Sequence, residues 1–251
     1  MVRDSLKSIF VLILCFSCSV GFSDELQDLL ETLNRLEGKD EIITIVRIEN
    51  LISTAKGKKT NKIESEFVVN ADVDTLSITY EGDVSEITSD PNAGSSGFSG
   101  DISDARNFQN FSLFRAAELI HYSPSLAREL NGMKLTKKKS DKYQDVACTL
   151  WELNSKETQK TSGVKSTTKR DVKLWIDEEG YPVGGEFQTQ MTAKIFLLFK
   201  INSETMRKQS YKRHGDRLVL TLDKNETDFE TDEENMKQTV TTTVEINERK
   251  M

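Results

Sequence analysis

The chain has 251 residues and a formal net charge of −7, with charges of both signs spread along it. That distribution lacks the concentrated basic face a phosphate-binding protein uses, so no nucleic-acid partner is expected. Of three cysteines, Cys15 and Cys18 lie near the start and Cys148 stands alone, which excludes an internal disulfide framework.

Residues 1–23 have the features of an export signal. Arg3 and Lys7 precede an unbroken apolar run, residues 9–16, and small residues at Gly21 and Ser23 suit cleavage between Ser23 and Asp24. The run is far short of the roughly 20 residues a permanent membrane helix needs, so no transmembrane segment is expected after signal removal. A periplasmic or secreted protein is expected, and cleavage makes it one charge more acidic. Leu14-Cys15-Phe16-Ser17-Cys18 also resembles a lipoprotein signal, in which Cys18 would be acylated and hold the protein to a membrane. Phe16 and Cys15 fit that pattern poorly, so plain export is the leading expectation.

The remainder, residues 24–251, reads as one α+β domain. Asp24 caps a helix over 25–37 whose Leu26, Leu29, Leu30, Leu33 and Leu36 form one stripe, and Gly38 stops it. Residues 41–53, 63–70 and 76–80 alternate as three antiparallel strands with short turns. Residues 88–101, rich in glycine and serine, form a flexible loop. Two helices are expected within the 104–131 insertion, the first capped near Asp104. The second starts at Ser123-Pro124 and stops at Gly132. Five lysines between 134 and 142 read as a solvated loop or edge strand. Alternation returns around Cys148, at 172–176, over 187–201, near 205–213, at 218–222 and over 239–246, with His214-Gly215-Asp216 as a tight hairpin. About eight or nine strands are expected, in a strongly curved antiparallel sheet forming an incomplete barrel, with the helices on one side.

Motifs for chemistry are sparse. His121 and His214 supply only part of a zinc site, and no metal or cofactor is expected. Gly94, Gly97 and Gly100 miss the dinucleotide spacing, and Ser95, Ser96 and Ser99 miss the nucleophile elbow. The acidic run 223–234 places Asp, Asn and Glu at calcium-loop positions 1, 3 and 12. Asp228 replaces the required glycine, so a solvated acidic connection is expected. Cys148 reads as a buried packing thiol. Trp151, Trp175 and Phe187 lie on strands as core residues or, alternatively, as the lining of an apolar cavity.

Asp171-Val172-Lys173-Leu174-Trp175-Ile176-Asp177-Glu178-Glu179-Gly180-Tyr181-Pro182-Val183 resembles a hairpin of the bacterial lipoprotein-carrier superfamily (LolA/LolB-like, including anti-sigma-factor regulator domains). The order of elements is similar too. The resemblance implies a bent, incomplete barrel with helices at its open side and acyl chains bound between. The expected function is non-catalytic binding of a lipid, lipoprotein or other apolar ligand in the cell envelope. Two other readings stand beside it: an envelope structural or interaction protein without a small ligand, anchored through Cys18, and a carboxylate-based hydrolase. The last ranks lowest because no acidic pair stands out.

Overall fold

In the computed structural model, residues 24–54, 57–80, 112–161, 164–195, 199–230 and 235–247 are described. The leucine stripe after Gly21-Phe22-Ser23 forms helix α1, residues 24–34, and buries Leu26, Leu29 and Leu33, with Leu36 just beyond its end. Three strands follow: β1 (Ile42–Thr54), β2 (Gly57–Ala71) and β3 (Leu76–Tyr80). Next come helices α2 (Leu113–Ile120) and α3 (Ser123–Leu130). The remaining strands are β4 (Lys134–Tyr143), β5 (Val146–Thr161), β6 (Val164–Ile176), β7 (Pro182–Ile195), β8 (Phe199–His214), β9 (Arg217–Glu230) and β10 (Asn235–Ile246).

All ten strands belong to one antiparallel sheet in the order β3-β2-β1-β10-β9-β8-β7-β6-β5-β4. The sheet does not close into a barrel, since β3 and β4 are its two edges. Consecutive strands pair except β3 and β4, the two edges, and the one long-range closure is β1 against β10, which joins the first strand to the last.

The register separates two faces. Trp151, Leu174, Gly185, Gln209, Asp223 and Thr242 are aligned across β5 to β10 on the inner face, where the helices pack. Leu150, Trp175, Gly184, Ser210, Leu222 and Thr243 form the adjacent row on the outer face. The core lies between the inner face and the helices: Leu33, Ile42, Val46, Val69, Leu119, Leu126, Leu130, Leu174, Leu218 and Leu220 have no exposed surface. The strands run on past the helices. β5 is exposed or half-exposed from Asn154 onward, which accounts for its Ser, Lys, Glu, Thr and Gln content there.

The α+β class and the open antiparallel sheet agree with the sequence expectation, with ten strands instead of eight or nine. Residues 134–143 form a full strand whose lysines protect a sheet edge from further pairing. Residues 223–230 belong to β9, not to a solvated connection, and Asp223 is buried. The cap of α2 is Ser112, whose Oγ accepts from the Arg115 amide at 3.2 Å; Asp104 lies outside the described residues, as does the 88–101 loop. Gly184 has a specific reason to be glycine. The Tyr143 ring lies over it, and a Cβ there would come within 2.2 Å of the ring. Tyr143 thereby reaches across to Ser210 Oγ at 2.7 Å and fastens the β4–β5 hairpin over the outer face.

A candidate binding cleft between the helical pair and the β2–β3 turn

The β2–β3 turn is held by Asp72, whose carboxylate accepts the Asp74 and Thr75 amides, both at 2.8 Å. These donors keep its carboxyl below the ordinary carboxylate range. The turn presents Val73, 66% exposed, toward solvent. Facing it is the first turn of α2. Along this helix Leu113, Ala116 and Ile120 turn inward, and Phe114, off that stripe in the first turn, is left 71% exposed. Exposure of two large apolar groups beside one cleft is informative, because the described residues hold only four such groups in all.

The floor comes from two other places. His121 caps α2, and the next residue donates its backbone N–H to Leu218 C=O at 2.7 Å, tying the α2–α3 junction to β9. Arg217, at the start of β9, is 3% exposed. Its Nε donates to the Asp40 carbonyl at 2.5 Å and its Nη2 to the Asp72 carbonyl at 3.5 Å. The β8–β9 hairpin is locked to the segment before β1 by Asp216, whose carboxylate accepts the Lys39 and Asp40 amides at 2.9 Å each. A cleft of about 380 Å³ results, with Ala71, Leu76, Phe114, Ala117, Ile120 and Pro124 as its apolar lining and Glu118, His121, Arg128 and Arg217 among its polar groups. That size lies within the range of about 300–1,000 Å³ usual for small-molecule sites.

His121 is half-buried. Its Nε2 lies 3.4 Å from Ser123 Oγ, and its Nδ1 is buried without a hydrogen-bond partner. The ring packs against Gly38, where a Cβ would approach it to 2.6 Å, so glycine is required at the end of the α1 segment for two reasons, this contact and a φ of +69°. Burial pushes the imidazole pKa down and Arg217 adds to that, against an upward pull from Asp216.

A second polar cluster lies deeper, between the helices and β8–β9. Gln209, 1% exposed, donates from Nε2 to Tyr122 Oη and to Asp223 Oδ1, each at 3.1 Å, and its Oε1 accepts from the Tyr211 hydroxyl. Arg115 bridges Glu118 and Asp223 at 2.6 Å to each, and Glu118 also accepts from Ser125 at 2.6 Å. Glu129 accepts from Tyr122 and Arg207. Burial raises the pKa of both tyrosines, so their hydroxyls stay protonated. Each carboxylate here is already paired with a cation or a neutral donor. That saturation suits a cluster that fixes the helical pair in place, and it leaves no acid–base pair poised for substrate.

The structure does not bring the three sequence-selected aromatics together. Trp151 and Phe187 are on the inner face, buried in the core, each with a cation over its ring: Lys138 at 4.9 Å and Arg207 at 4.7 Å. Trp175 is on the outer face, packed at 5.2 Å from Tyr143, with its indole N–H donating to Asp141 at 3.2 Å. None of the three lines the cleft. Cys148 is buried and its thiol pKa is pushed up by that burial. Asp24 is the first described residue, at the exposed start of α1, and Cys18 and Ser23 lie outside the described residues. Among the described residues no group of three or more His, Cys, Asp or Glu is arranged to hold a metal ion.

Sequence reasoning missed Phe114, Val73 and Arg217 as cleft residues, and weighed His121 only as part of an incomplete zinc ligand set with His214. Phe114 had one legible signal, its position off the Leu113, Ala116, Ile120 stripe. Comparison with protein-family models, curated proteins and solved structures gives no match to this chain.

Proposed function

We propose that this is an exported, non-catalytic protein of the cell envelope that binds a lipid, a lipoprotein acyl chain or another apolar ligand, and that the cleft beside α2 receives it. The observation that carries this reading is the convergence of exposed Phe114 and Val73 on an apolar-lined cleft with a few inward polar groups. The export-type segment 1–23 and the likeness of residues 171–183 to the lipoprotein-carrier hairpin support it.

Native mass spectrometry of the mature chain, purified gently from an exporting host, tests the proposal. A co-purified mass that dissociates as fatty acid or phospholipid is the expected result. A bare polypeptide mass that stays unchanged when lipids are added would contradict it.

A further inference from the structure

Behind the helical core, charges on the outer face of the sheet alternate in sign. Glu152, Lys173, Glu186 and Lys208 stand opposite one another across β5 to β8. Lys173 and Lys208 pair with Glu186 at 3.5 and 3.7 Å, and Glu152 pairs with Lys137 of β4 at 3.6 Å. Toward the far ends of the same strands that alternation is lost. Lys160, Lys165 and Lys194 are directly opposite across β5, β6 and β7, and Lys200 takes the next position on β8. Two rows back on the same face, Lys156 of β5 stands opposite Lys169 of β6. Lys156, Lys160, Lys165, Lys169 and Lys194 are exposed and form no ion pair among the described residues.

Like charges directly opposite on neighbouring strands destabilise a sheet, so this arrangement calls for a reason. Edge protection supplies part of one. β4 pairs with β5 only as far as Asn154, which leaves Lys156 and Lys160 on a free edge. It does not account for Lys165, Lys169 and Lys194, which stand on strands paired on both sides. Nor do the nearby carboxylates cancel the rows. Residues 155–170 hold five basic side chains and one acidic, Glu157, which lies on the opposite face and accepts from Gln159 at 2.8 Å. Asp171 is one row from Lys169, and Glu204 of β8 accepts from Gln188 at 2.7 Å and Gln190 at 3.4 Å. The basic region ends at β9, which carries Glu226, Asp228 and Glu230.

We propose that this lysine field, on a chain of net charge −7, docks the protein on an anionic lipid surface. The proposal goes beyond the ligand-binding role and does not rest on it. Between the two lysine rows lie Thr158, Thr167 and Thr192, and neither an arginine nor an aromatic residue stands in any of these rows. Single-stranded nucleic acid is held by aromatic platforms, and protein partners by aromatic or arginine anchors. Lysines set about 4.8 Å apart from strand to strand act instead as point charges, which suits head groups that have no fixed register.

Flotation of the mature chain with vesicles tests the proposal. At low salt, phosphatidylcholine vesicles carrying about 30% phosphatidylglycerol should bind it roughly tenfold or more tightly than pure phosphatidylcholine. Sodium chloride at about 0.5 M should abolish that binding. The variant Lys165→Gln/Lys169→Gln/Lys194→Gln should lose about fivefold in affinity per lysine removed. Its melting midpoint should stay level or rise, because opposed like charges are gone, and this shows that the fold is kept. Lys134→Gln/Lys139→Gln changes exposed lysines of β4 outside the rows and should bind nearly as the wild type. Equal binding to both kinds of vesicle, or binding to neither, would overturn the proposal. So would loss of binding in the β4 variant with retention in the triple variant. Tighter binding to a single-stranded oligonucleotide than to the anionic vesicles at the same salt would overturn the lipid assignment.

Discussion

Replacing Gln209 with leucine is expected to destabilise the protein by about 3 kcal/mol, because a leucine of similar size leaves several buried polar groups unserved. Gln209 is 1% exposed and occupies the middle of the inner face, between Gly185 on β7 and Asp223 on β9. Its loss leaves the Tyr211 hydroxyl without its acceptor and removes one donor each from Tyr122 and Asp223. Urea denaturation followed by circular dichroism checks the value. The double variant Gln209→Leu with Tyr211→Phe should recover about 1 kcal/mol, since the orphaned hydroxyl is gone. A cost well under 1 kcal/mol for the single variant would mean that water serves these groups and that the cluster does not fix the helices.

The other large effect is at the N-terminal helix. Leu33→Ala should cost about 3 kcal/mol, as for a fully buried leucine whose site collapses only in part. Leu33 has no exposed surface, and its neighbours on the stripe, Leu26 and Leu29, are also buried. Thermal unfolding should show a midpoint lower by roughly 6–12 °C for a domain of this size. Asn34→Ala, next to it on the exposed side, should leave the midpoint nearly unchanged. If Leu33→Ala unfolds at the wild-type temperature, α1 is not part of the cooperative core.

These two sites also mark where the fold was and was not legible in the sequence. The leucine stripe of α1, the Ile- and Val-rich alternation of β1 and the Gly132 stop of α3 are strong local signals, and each appears as expected. β4 was legible only as a solvated loop or edge strand, because edge protection fills it with lysine and removes the apolar alternation that decides between the two. The outer part of β9 from Glu226 onward, Glu-Thr-Asp-Phe-Glu, is exposed or half-exposed, so nothing there requires an apolar face. The buried roles of Gln209 and Asp223 had no local signature, because their partners Tyr122 and Arg115 are remote in sequence.

The cleft was hidden for the same reason. It is assembled from Gly38, the β2–β3 turn, the α2–α3 junction and the first residue of β9, pieces remote in sequence that meet through β1–β10 closure, the Asp216 contacts to residues 39 and 40 and the Arg217 contacts to Asp40 and Asp72. Sequence reading weighted aromatic residues on strands, and the structure gives those to the core or to the outer face. The apolar residues left for a ligand are on the helix start and on the turn.

The central claim is that a ligand enters at this cleft, and amide NMR spectra of the mature chain recorded during titration with dodecanoate test it most directly. The account predicts that the amides of Gly38, Val73, Ala117 and His121 shift together and saturate, while those beside Trp151 and Trp175 stay in place. Saturable shifts centred on Trp151, Trp175 or the far ends of the strands, with the cleft amides unmoved, would contradict it.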